Sequence, residues 1–217
     1  MSVSPREGRA ALYESQFTME MYVDRAGAGV LATAWALAAR SRRSLVHLPL
    51  RTWARGPAGM SEWVHSGLGL DLVLLQRDLG FPPSRWKEVR ARLGAGAPHT
   101  VDIPETDFPA EDAIDYESHR HAGWRDGLRF ALTARTLFVS GTAEAFRWSG
   151  SRVRSLSTEA PSVAAGRPGA AGHAGGVHYC VELDHEPGQG RGKGFWTPAK
   201  TDPGMLHIEY APGWRAA

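Results

Sequence analysis

Residues 16–50, QFTMEMYVDRAGAGVLATAWALAARSRRSLVHLPL, decide how the fold is read. In the first nine, Phe17, Met19, Met21 and Val23 alternate with Gln16, Thr18, Glu20 and Tyr22, the two-residue period of a strand with one buried face. Asp24 is placed to cap a helix. The alanine-rich run after it, 26–43, sets Val30, Leu31, Ala34, Trp35 and Ala38 on one stripe. Arg40, Arg42 and Arg43 close the run and suit the negative pole of a helix dipole. The segment 44–50, SLVHLPL, is a short apolar strand that Pro49 bends or leaves at a sheet edge.

Working outward, residues 51–69 form a long glycine-rich connection with two tryptophans, and DLVLLQ (71–76) is continuous enough in its hydrophobicity to be buried on both faces. A helix starts at Pro82-Pro83, lines Trp86, Val89 and Leu93 on one side, and ends at Gly94. HTVDIP (99–104) reads as a further strand. The order strand, helix, strand, strand, helix, strand is that of a ferredoxin-like βαββαβ unit: an α+β fold with a mostly antiparallel sheet and helices on one face.

Beyond it, Trp124, Leu128 and Leu132 recur every fourth residue, so the spacing predicts a helix over 110–133. TLFVSG (136–141) reads as a strand, and Thr142 caps a helix to about 156. Residues 157–176 turn to Ala, Gly and Pro, the composition of a flexible loop. The expected organisation is a flexible N-terminus at 1–14 and one α+β domain over 15–217, with 15–104 and 105–217 as its halves, the second a partial repeat of the first.

The tail carries the chemistry. From 177 to 184, Val177, Tyr179, Val181 and Leu183 alternate with His178, Cys180, Glu182 and Asp184; from 206 to 210, Leu206, Ile208 and Tyr210 alternate with His207 and Glu209. If these two strands pair, their polar faces merge into one patch. His178, Glu182, Asp184, His207 and Glu209 are the candidate catalytic residues, as general acids and bases. A divalent metal, if one binds, falls to His178, Glu182 and His207, because imidazole and carboxylate donors on adjacent strands suit zinc or non-haem iron. A sheet with one wet face alternates in the same way for solubility alone.

Trp53, Trp63, Arg191, Lys193 and Trp196 are the candidate ligand-binding residues, roofing that face from two loops. Gln189, Gly192 and Gly194 meet the Q-x-x-G-x-G spacing with which acetyltransferases hold coenzyme A, but Pro198 and Pro203 bar the long helix such a loop must start. His119 and His121 lie two apart on the expected helix, about 200° of rotation, and cannot face one ligand together. Cys180 could act as a nucleophile with His178 or His207 as its base. Gly-x-Ser-x-Gly, a Walker loop, His-Glu-x-x-His and paired Cys-x-x-Cys are absent.

Composition narrows the rest. The 217 residues, 42% apolar and 22% charged, suit a globular protein with a sizeable core. One cysteine makes no intramolecular disulfide and fits a reducing cytoplasm; no apolar run reaches membrane-spanning length. A net charge of +2 is too mild to point to nucleic acid, although a ferredoxin-like scaffold with a basic glycine loop keeps RNA as a weaker alternative. Between 102 and 117, Asp102, Glu105, Asp107, Glu111, Asp112, Asp115 and Glu117 stand without a base. That run supports a second reading, a non-catalytic immunity- or adaptor-type protein whose acidic segment meets a basic partner. The leading expectation is binding, with conversion as a further step, of a small organic molecule over the polar tail face.

Overall fold

The computed structural model describes residues 8–15, 18–53, 56–57, 68–94, 96–97, 99–115, 117, 127–166, 178–184 and 204–214. The strands are β1 (Ala10–Glu14), β2 (Met19–Val23), β3 (Leu45–Leu48), β4 (Asp71–Gln76), β5 (Arg129–Thr133), β6 (Thr136–Gly141), β7 (Cys180–Asp184) and β8 (Met205–Tyr210). The helices are α1 (Arg25–Arg40), α2 (Trp86–Ala91), α3 (Ala143–Thr158) and α4 (Ala160–Ala165). The class is α+β. Two mixed four-stranded sheets, β1-β2-β8-β7 and β3-β4-β6-β5, each join two antiparallel hairpins through one parallel pair, β2 with β8 and β4 with β6.

The connectivity differs from the expected βαββαβ. Leaving out the short helices, each half runs ββαββ: β1-β2-α1-β3-β4, then β5-β6-α3-β7-β8. Each sheet takes the first hairpin of one half and the second hairpin of the other, so exchanging the halves maps one sheet onto the other. The helices agree residue by residue. Asp24 caps α1 by accepting from the Gly27 amide, and Thr142 caps α3 by accepting from the Ala145 amide. At the 118-residue offset between those caps, all six buried residues of α3 (Ala145, Phe146, Ser149, Gly150, Val153 and Leu156) fall on buried residues of α1 (Gly27, Ala28, Leu31, Ala32, Trp35 and Ala38). One core takes the inward side chains of both sheets and both long helices, with Trp35 fully buried at its centre. Its indole edge meets Phe146 at 5.7 Å and its N–H donates to Ser149 at 2.8 Å.

Several expectations are corrected. Residues 10–14, expected to be frayed, form β1, held by antiparallel pairing with β2 and by burial of Ala10–Tyr13. HTVDIP has no strand partner among the described residues and runs as irregular chain. Of the helix expected over 110–133, the start is a 3-10 turn, Glu111–Ala113, and the end is β5, paired with β6. The loop expected over 157–176 begins instead with the last turn of α3 and with α4. Among the described residues no helix is long and apolar enough to cross a membrane.

Candidate functional site

The tail strands do pair, and they bring a third strand into the polar face. β8 lies between β7 and β2, so the register aligns Glu182, His207 and Glu20 in one row and Cys180, Glu209 and Tyr22 in the next. The reason is alternation: Val181, Leu183, Leu206, Ile208, Met19 and Met21 all enter the core, which turns their neighbours outward. At its centre this face is not wet. Glu20 is 7% exposed and His207 and Glu209 6% each, whereas Glu182 and Asp184 on edge strand β7 are exposed. Asp184 stands one row beyond Glu182, opposite Met205, outside the cluster's centre.

Glu20 and His207 are its rigid pair. Glu20 Oε2 lies 2.7 Å from His207 Nδ1, and Thr18 Oγ1 donates to Glu20 Oε1 at 2.5 Å. Burial pushes the His207 imidazole toward its neutral form. The hydrogen bond and charge of Glu20, with the charges of Glu209 and Glu182, outweigh it and raise the pKa above the ordinary histidine value. His178, just before β7, sets its ring edge-on to His207 at 5.8 Å. One ligating atom each from His178, Cys180 and His207 lie within 4.8 Å of one another. Of the donor set expected for a metal, His178 and His207 fall in this group, which takes Cys180 as its third member and does not include Glu182. Burial, and then the charges of Glu182, Glu209 and Glu20, hold the Cys180 thiol above its usual pKa against a smaller pull from Arg152. A thiol held in that way is a weaker nucleophile at neutral pH than a free cysteine.

Cys180 also opens onto a groove of about 760 Å³ between α3, the edge strand β7 and residues 108–111. Phe108, Val181 and Tyr179 give it apolar surface, and Arg152, Ser155 and Thr158 give it polar groups. Its rim is tied down by the acidic segment. Arg40 pairs with buried Asp107; Arg154 pairs with Glu105 at 2.9 Å and lies 5.0 Å over the Phe108 ring. Asp107 and Glu105 thus serve internal contacts, while Asp102, Glu111, Asp112, Asp115 and Glu117 are exposed.

Trp53, expected to roof the site, packs against the main core instead. Trp63, Arg191, Lys193 and Trp196, and also His119 and His121, lie outside the described residues. Sequence reasoning missed Glu20, the residue that orients His207, because it was assigned to the solvent side of a strand far from the tail. It also missed a second cluster, on the other sheet. There buried Asp71 accepts from Arg51 at 2.6 Å, with Arg90 at 3.5 Å and His47 Nε2 at 3.8 Å. Burial alone would raise the Asp71 pKa, but His47, the Arg51 hydrogen bonds and the Arg51 charge lower it to about 2. An aspartate opening an apolar strand, and a histidine inside SLVHLPL, were the available signals.

Compared with known protein families, curated proteins and solved structures, the chain matches none. The informative comparison is therefore internal. When the halves are exchanged at the cap offset, Glu20 falls on Phe138; the parallel registers Met19 with Leu206 and Leu137 with Leu72 then set His207 on Val73 and Glu209 on Leu75. On the second sheet Phe138, Val73 and Leu75 form an apolar cluster with Trp86. The same scaffold positions hold an ordinary small core on one sheet and three buried ionisable groups on the other.

Proposed function

We propose that this chain binds a small organic molecule in the groove between α3 and β7, with the molecule's polar end against the Glu20–His207–Cys180 face. The observation that carries the reading is the place of Cys180, which lines the groove and also lies within 4.8 Å of the ligating atoms of His178 and His207. Burying polar groups where Phe, Val and Leu suffice costs stability, and such costs concentrate at functional sites. Arg152 and the hydroxyls of Ser155 and Thr158 suit an anionic group on the ligand; Phe108 and Tyr179 suit a short apolar body. Conversion without a metal would use His207 as the acid–base group, with Glu20 fixing its tautomer. The test is a thermal-shift screen of the full chain against a panel of small organic acids, confirmed by native mass spectrometry. A binder whose stabilisation disappears in Arg152→Glu and in His207→Ala supports the reading; the absence of any binder, or one indifferent to both substitutions, overturns it.

The adaptor reading keeps one favourable observation, the exposed acids Asp102, Asp112, Asp115 and Glu117. A basic partner held there would be lost on charge reversal at Asp112 and Asp115, in a salt-dependent way.

A further inference from the structure

We infer that His178, Cys180 and His207 form a three-donor site for a zinc-type divalent cation, resting on the ligand site proposed above and placing a metal at its polar end. Two imidazoles and one thiolate are borderline-soft donors that select zinc, cobalt or copper over magnesium and calcium, which take oxygen. The three ligating atoms already lie within 4.8 Å of one another. Metal–nitrogen bonds of about 2.0–2.1 Å and metal–sulfur bonds of about 2.3 Å put tetrahedral ligands roughly 3.3–3.6 Å apart, so closure needs a shift of about one ångström.

The burial pattern says which residues move. His207 is buried in the middle strand of the three, while His178 and Cys180 are half-buried, at the start of an edge strand. His207 is also prepared for the role. Its Nδ1 is held by Glu20 at 2.7 Å, a pairing that orients the ring for coordination through Nε2, and Thr18 holds Glu20 in turn. A carboxylate behind a ligating histidine fixes the ring and raises its basicity. Binding expels the Cys180 thiol proton to solvent, so the ion replaces a proton and forms a metal–thiolate bond. Three protein donors leave the fourth tetrahedral position to water or to the groove's ligand, the arrangement of catalytic rather than structural zinc.

The test uses the metal alone, so its outcome is separate from that of the organic-ligand screen. The full chain, without a histidine tag, reduced and stripped of metal, is titrated with Co²⁺. The expected result is one equivalent bound with a thiolate-to-cobalt charge-transfer band that Zn²⁺ abolishes by displacement. Cys180→Ser should lose the band. His178→Ala should weaken binding at least tenfold, and Glu20→Gln about 10–100-fold by removing the carboxylate that orients His207. Far-UV circular dichroism confirms that each variant is folded; Cys180 and His178, being half-buried, are the safer substitutions. A folded wild-type protein with no charge-transfer band overturns the proposal. So does cobalt affinity unchanged in both His178→Ala and His207→Ala.

Discussion

Glu20 and His207 are 187 residues apart in the chain and 2.7 Å apart in the fold, joined because β8 inserts in parallel beside β2. Their bond is the contact on which the candidate site turns, and it makes His207 part of the protein's stability as well as of the proposed site. Removing one partner leaves a buried polar group behind. His207→Ala should therefore cost roughly 2–4 kcal/mol in urea unfolding, more than a surface histidine would. A double-mutant cycle with Glu20→Gln should show coupling of about 1–3 kcal/mol. A loss under about 0.5 kcal/mol for His207→Ala, the size of an ordinary surface change, would mean that the pair contributes nothing to folding.

The second ionic cluster sets an acid limit. Asp71 has a folded pKa lowered from 3.8 to about 2, so its stabilising contribution is complete above pH ~4 and is lost as pH falls toward 2. A shift of that size corresponds to about 2 kcal/mol. Urea unfolding from pH 7 to pH 2 should show wild type losing that increment between pH 4 and 2, while Asp71→Asn, weaker at neutral pH, lacks it. Parallel curves for the two proteins would show that the Arg51 pair is not formed in solution.

Gly27 has no room for a side chain. A Cβ there would lie 2.1 Å from the carbonyl oxygen of Arg9 and 3.2 Å from the capping oxygen of Asp24. Alanine normally gains about 1 kcal/mol over glycine inside a helix, but a backbone clash of this kind costs about 1–3 kcal/mol and strains the cap as well. Gly27→Ala should lower the melting temperature, whereas Gly29→Ala, with nothing within 4 Å, should raise or preserve it. The same sign for both would contradict the close approach of Arg9 to the first turn of α1.

Between the two long helices, Ser149 accepts from the Trp35 indole at 2.8 Å and donates to the Ala145 carbonyl at 2.6 Å. Ser149→Ala leaves a buried indole N–H without its acceptor and should cost about 1–3 kcal/mol. Equilibrium unfolding, with tryptophan fluorescence as the probe, reads the loss directly; an unchanged midpoint would place the indole elsewhere.

The elements legible in the sequence were those whose local signals agree with their packing. DLVLLQ, TLFVSG and the Thr142 cap stand where periodicity and capping chemistry put them, and the tail alternation of Val181 to Asp184 survives as a burial alternation. β5 was hidden for a specific reason. It returns into β6 through Ala134 and Arg135, both with positive φ (49° and 58°), where a two-residue hairpin ordinarily announces itself with Asn-Gly or Asp-Gly. Without that signal, the four-residue spacing of Trp124, Leu128 and Leu132 reads as a helix. Glu20 was hidden differently. An alternating strand reveals which residues leave the core, but only the β2–β8 pairing shows that this one meets a histidine near the other end of the chain.

That pairing also bears on when the candidate site can assemble during synthesis. β8 is the last described strand, yet it occupies an interior place in its sheet, with β2 on one side and β7 on the other. Until residue 210 has left the ribosome, the first hairpin has no inner neighbour and Glu20 has no histidine. A nascent chain therefore carries α3, Glu20 and the whole second sheet before His207 can complete the cluster. The Glu20–His207 pair forms only once β8 is there to insert beside β2.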